Sequence, residues 1–87
     1  MKFTVVWSPS AGDQLAEIWL DASNRQGVTA AQAAIDVELG EDAHSKGREL
    51  AEDLFVFSVA PLQVLFELLE PDRLVRVIGV RQLPDVT

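Results

Sequence analysis

The chain has 87 residues, a formal net charge of −7 from fourteen Asp/Glu against seven Lys/Arg, no cysteine, 48% hydrophobic and 24% charged residues. That length and mixture describe one globular domain over residues 1–87 rather than two domains or a disordered chain. They exclude disulfides and thiolate metal sites, and the acidic balance makes the chain a poor non-specific binder of free nucleic acid, which depends on neutralising phosphates.

Lys2 to Trp7 reads as a strand, with Phe3, Val5 and Trp7 alternating against Lys2, Thr4 and Val6. Ser8-Pro9 is a helix start: the hydroxyl caps free N–H groups and proline suits the first helical position. Ala11, Leu15, Ile18, Trp19 and Ala22 then recur at helical spacing to about residue 23. Asn24-Arg25-Gln26-Gly27 is the break, with Asn24 or Gly27 suited to a left-handed C-cap. Thr29 caps a second helix through Ala30-Ala31-Gln32-Ala33-Ala34 to about Asp42, with Ala31, Ile35 and Leu39 inward. The short connection makes an antiparallel helix hairpin.

Ala43 to Gly47 reads as a loop, after which the period becomes strand-like. Leu54 to Val59 is one strand, with Phe55 and Phe57 on one face. Ala60-Pro61 turns the chain into a second, Leu62 to Leu69. Glu70-Pro71-Asp72 is a tight turn. Arg73 to Gln82 is the last strand, in which Gly79 marks a bulge or bend. The expected fold class is α+β, in the order β-α-α-β-β-β, with the helix hairpin on one face of a mostly antiparallel four-stranded sheet. Val56, Val64, Leu68 and Val75 are candidates for an apolar patch on the other, open face, of the kind that marks a protein–protein site. Trp7, Trp19, Phe55, Phe57 and Phe66 are expected in the core.

No apolar run approaches the roughly 18 residues of a membrane span. Met1-Lys2-Phe3-Thr4 opens directly on a strand without a signal-peptide core. The expected location is therefore cytoplasmic, with no membrane partner.

The motif order resembles the RelE/ParE toxins of bacterial type II toxin–antitoxin systems, a superfamily that includes plasmid stabilisation proteins. Val6-Trp7-Ser8-Pro9-Ser10-Ala11 with Leu15 and Ile18 resembles their opening strand, turn and helix. Lys46-Gly47-Arg48-Glu49-Leu50 resembles a G-R-x-L loop. Leu74-Val75-Arg76-Val77-Ile78-Gly79-Val80-Arg81 resembles their final strand. The resemblance implies one of two activities. RelE-like members cut messenger RNA on the ribosome with a cluster of Arg/Lys side chains and a C-terminal Tyr or His, whereas ParE-like members poison DNA gyrase by protein contact. It also implies a cognate antitoxin as partner.

Where the RNase members carry R-x-x-Y, this sequence has Gln63-Val64-Leu65-Phe66. There is no tyrosine, and the C-terminal Pro84-Asp85-Val86-Thr87 offers no His or Tyr. Cleavage of RNA needs a proton acceptor, a proton donor and charge stabilisation at one phosphate. Arg48 and Arg81 match family positions and are the candidate catalytic pair, able to supply the last of these. Gln63, Phe66, Arg73 and Arg76 are the candidate binding residues. Arginines at turns and mid-strand also pair with local acids such as Glu67 or Glu70, an ordinary surface role.

His44 is the only histidine and has no partner of the usual catalytic kinds beside it. Asp13, Glu17 and Asp21, at i, i+4 and i+8, make a solvated acidic face at a small cost to the helix. A basic partner surface is the alternative reading of that face. No metal or cofactor is expected.

The leading expectation is a toxin-like protein acting mainly by protein binding, to an antitoxin and to a target such as gyrase, with the catalytic residues largely lost. The alternatives are a ribosome-dependent messenger RNA endonuclease, and a non-toxic domain of toxin ancestry that works as a homodimer or other regulatory binder.

Overall fold

The structure is a computed structural model that describes residues 2–84. The C-terminal Asp85-Val86-Thr87 lies outside the described residues. The elements are β1 (Thr4–Trp7), α1 (Pro9–Asp21), α2 (Arg25–Lys46), β2 (Arg48–Ala51), β3 (Leu54–Val59), β4 (Leu62–Leu69) and β5 (Leu74–Gln82), with a short 3-10 turn over Glu70–Asp72 between the last two. The five strands form one sheet in the order β1-β5-β4-β3-β2. β2 to β5 run antiparallel as a meander, and β1 lies parallel to β5.

The sheet thus has five strands where four were expected. The extra one is β2, whose four residues are all exposed. Arg48-Glu49-Leu50-Ala51 carries no buried alternation to mark it as a strand. It forms because β3 offers a free edge, and its register slips between Glu49 and Ala51. A short, charged, bulged edge of this kind discourages pairing with other chains.

Ser8 caps α1 as its side chain accepts from the Ala11 N–H at 3.1 Å, with Pro9 in the first turn. The second helix begins four residues before Thr29. Asn24 is its N-cap, accepting the Gly27 N–H at 3.0 Å, so neither Asn24 nor Gly27 ends α1 in a left-handed cap. Regular α2 geometry ends at Asp42 (φ −158°, ψ 75°), but the residues after it are a helical turn and not a loop. Asp42 starts that turn as a cap would, taking the Ser45 hydroxyl at 2.5 Å on its carboxylate. Glu38 reaches Lys46 at 2.7 Å across the same turn. This gives two of the carboxylates at the end of the helix local partners.

The core lies between the helices and one face of the sheet. Ala11, Val28, Ala31, Ile35, Leu39 and Ala43 meet Phe55, Leu62, Val64, Phe66, Leu68, Val75, Val77 and Val80. Each large apolar side chain buried there contributes roughly 1.5–3 kcal/mol. Val64, Leu68 and Val75 belong to this core and not to the open face, because β4 buries its even residues and β5 its odd residues up to Val77. Trp7 is half-buried and donates its Nε1–H to Asp36 at 2.8 Å, tying β1 to α2. Trp19, by contrast, is 40% exposed, so the second tryptophan is a surface residue. No helix among the described residues is long and apolar enough to cross a membrane.

Candidate functional site

The face of the sheet turned away from the helices is built by alternation in β3, β4 and β5. Gln63, Leu65 and Glu67 point there from β4, as does Val56, which stands opposite Leu65 on β3. β5 obeys a different rule. Its buried positions switch parity from Val75 and Val77 to Val80. The cause is a bulge: Leu65 pairs with Gly79 and Phe66 with Val77, leaving Ile78 as an extra residue. Without the extra residue, strict alternation from Val75 would turn Arg81 toward the core. With it, Arg81 lies on the open face directly opposite Gln63.

Arg81 Nε donates to Gln63 Oε1 at 2.7 Å, and Gln63 Nε2 donates to Ser58 Oγ at 3.0 Å. This polar row runs across three strands. Beside it is a shallow hollow of about 350 Å³, floored by Val56, Leu65 and Gly79 and bordered by Leu50, Gln63 and Arg81. Gly79 leaves room there, since an added Cβ would come only to 3.7 Å from Gln14 Oε1 and 3.9 Å from Leu65 Cβ. Gln14 Oε1 accepts the Val80 N–H at 2.9 Å, so α1 serves a β5 amide beyond the end of β1.

The other predicted residues fall in different places. Arg48 stands opposite Val56, on the same face as Arg81 but three strands away, roughly 14 Å between backbones. Arg76 is also on this face and is neutralised by Glu67, to which its Nε donates at 2.9 Å. Arg73 has a left-handed backbone (φ 49°) at the far end of β5, roughly 25 Å along the strand from Arg81.

Phe66 is fully buried on the opposite face, stacked on Phe55 at 5.4 Å between ring centroids. It cannot share a surface with Gln63, because residues three apart on a regular strand point to opposite faces. His44 is at the end of α2, paired with Glu70 at 2.8 Å. It therefore lies on the helix side, away from the hollow. Among the described residues, no three His, Asp or Glu side chains are grouped as metal ligands would be.

Chemically, the open face presents an apolar floor with three guanidiniums: Arg81 held by an amide, Arg76 held by a carboxylate, and Arg48 at the sheet edge. The described residues bring no imidazole or phenol to it. Sequence reasoning missed Leu50, Leu65 and Gln14 as members of this face. Gly79 was the available signal, since it marks the bulge that sets which side chains join it.

No family model and no curated relative matches the sequence. Solved structures do match. The RelBE2 toxin–antitoxin complex of Mycobacterium tuberculosis superposes with a TM-score of 0.77 at 15% identity, over 94% of this chain and 99% of that one. The chromosomal ParDE system of P. aeruginosa gives 0.71 at 11%, over 95% and 98%. A free E. coli RelE toxin with two arginines replaced by alanine gives 0.65 at 14%, over 94% and 84%. At these identities the likeness is one of fold: an α+β domain with two helices packed on a mixed sheet.

Proposed function

We propose that this chain, which has the RelE/ParE toxin fold, is the toxin-like member of a toxin–antitoxin pair and acts mainly by binding protein. A cognate antitoxin is its partner in this reading, and DNA gyrase is the candidate cellular target. The observation that carries the proposal is the composition of the open face. Val56 and Leu65 floor it, and of its three guanidiniums Arg81 is tied to Gln63, Arg76 is neutralised by Glu67 and Arg48 stands at the sheet edge. An apolar floor on which two of the three guanidiniums are already held by neighbouring side chains suits a protein side chain and a carboxylate better than a phosphate chain. The RelBE2 and ParDE neighbours are themselves toxin–antitoxin systems, which supports the antitoxin as partner.

The test is expression with and without the adjacent small reading frame. Growth arrest relieved by co-expression, with DNA synthesis failing first, is the expected result. Unimpaired growth together with no co-purifying partner would remove the proposal and leave a non-toxic binding domain.

One observation favours a second reading, the ribosome-dependent messenger RNA endonuclease: Arg48 and Arg81 do share a face. In that case protein synthesis stops first. Messenger RNA cleavage in a translation extract should then disappear when both arginines are replaced by Ala.

A further inference from the structure

We infer that the outer surface of the helix hairpin is a docking site for an amphipathic helix whose apolar side is edged with Lys or Arg. This surface lies on the opposite side of the molecule from the open face of the sheet, and the inference does not depend on the toxin reading. It starts from apolar side chains left uncovered. Leu20 is 61% exposed, Val37 57% and Trp19 40%.

Trp19 and Leu20 share one groove, which Val37 does not line. Gly12, Ala16, Trp19 and Leu20 line one hollow of about 430 Å³ between the helices, with Val28 and Thr29 opposite. A second hollow of about 360 Å³ continues from Trp19 and Thr29 to Ala30 and Ala33. The small residues let another backbone approach closely. From Gly12 to Leu20 the groove is roughly 12 Å long, about two helical turns. Trp19 is held ready: Arg25 lies 4.7 Å over its ring and donates to the carbonyls of Trp19 and Leu20 at 3.0 and 2.9 Å. An anchored, exposed aromatic beside a groove is how interface hot spots are built.

Charge selects the occupant. Asp13, Glu17 and Asp21 form an exposed row along α1, next to the Gly12–Leu20 stripe. None of the three is ion-paired among the described residues. α1 carries no Lys, Arg or His, and the hairpin as a whole has seven carboxylates against Arg25 and Lys46. Like charges at i, i+4 repel, and a row of cations on a partner would relieve that repulsion while steering its approach. A second copy of this chain would bring the same carboxylates against each other. A basic-edged amphipathic helix meets both the groove and its rim.

The experiment uses two synthetic amphipathic helices with the same Leu/Ala face, one edged with Lys and one with Glu, titrated by fluorescence anisotropy. The Lys helix should bind at least about tenfold tighter than the Glu helix, with the gap closing at high salt. Asp13→Asn/Glu17→Gln/Asp21→Asn should erase the preference, and Leu20→Gln with Ala16→Gln should weaken the Lys helix by about tenfold. All of these are surface substitutions, and circular dichroism checks that the fold survives. Equal affinity for the two helices would overturn the inference. So would Lys-helix binding that ignores Leu20→Gln, which would reflect acidity alone. Self-association of the chain abolished by Leu20→Gln would overturn it in favour of a second copy.

Discussion

Arg81 stands opposite Gln63 across β4 and β5 and donates its Nε–H to the amide oxygen at 2.7 Å, and the bulged Ile78 is what allows it to do so. The bond is exposed and bridges a cation to a neutral amide, so its contribution to folding is small. Arg81→Ala should change the unfolding free energy by less than about 1 kcal/mol. If this guanidinium anchors a partner carboxylate, affinity for the proposed antitoxin should fall about tenfold or more. Urea unfolding and calorimetric titration separate the two effects. Unchanged affinity would remove Arg81 from the binding face.

The glycines at positions 47 and 79 should respond oppositely to alanine. A Cβ at Gly47 would come to 2.7 Å from Phe66 Cζ and 3.1 Å from Phe55 Cβ. Overpacking two stacked rings should cost about 1–3 kcal/mol. At Gly79 the new methyl meets only ordinary contacts, and no glycine has a positive φ. Gly79→Ala should be neutral or stabilising by up to about 1 kcal/mol. Denaturant midpoints at constant slope decide both.

Phe66→Ala should destabilise by about 3–5 kcal/mol, because it removes a fully buried ring from the centre of the core. In a domain of this size that is a large share of the total stability. Loss of a cooperative thermal transition is the expected readout. A variant that stays folded and loses only partner binding would place Phe66 at a surface after all.

Helix α2 should depend on Asn24 and not on Thr29. Asn24→Ala removes the acceptor for the Gly27 N–H and should cost about 1 kcal/mol. Thr29→Ala, four residues inside the helix at an exposed site, should stay within about 0.5 kcal/mol. Similar losses at both would contradict the start of α2 at Arg25.

The turn after Asp42 should loosen in acid. Hydrogen bonding from the Ser45 hydroxyl, and secondarily from its backbone N–H, lowers the Asp42 carboxyl below its ordinary 3.8. A depressed folded-state value means a contribution present above the unfolded value and lost as pH falls through the folded one. The loss therefore lies below about pH 4. Ser45→Ala should return the carboxyl toward its ordinary range in an NMR titration, and an unmoved titration would discount the Ser45 hydrogen bond.

Local chemistry was enough for much of the fold. Ser8-Pro9 gives the start of α1, the run of large apolar residues from Leu62 to Leu69 marks a strand, and Pro61 and Pro71 punctuate the meander. These are short-range effects, with period and capping readable from neighbours in the chain. β2 was not legible, since Arg48 to Ala51 becomes a strand only because β3 has an edge to fill. The start of α2 was misread because Asn24 and Thr29 are both competent caps, and the short connection from α1 selects the earlier one.

Membership of the candidate site was decided further still from the sequence. Gln63 and Phe66 lie three residues apart, yet strand alternation puts one on the surface and the other in the core. Gly79 announced an irregularity without saying which way it would turn Arg81. That direction follows from the pairing of β5 with β4, an interaction between segments about eighteen residues apart. The sequence by itself determined the element types and the acidic, cysteine-free character of the chain. The tertiary structure decided that Arg81 joins the open face and what it holds there, because the orientation of a strand residue depends on its register with its neighbour.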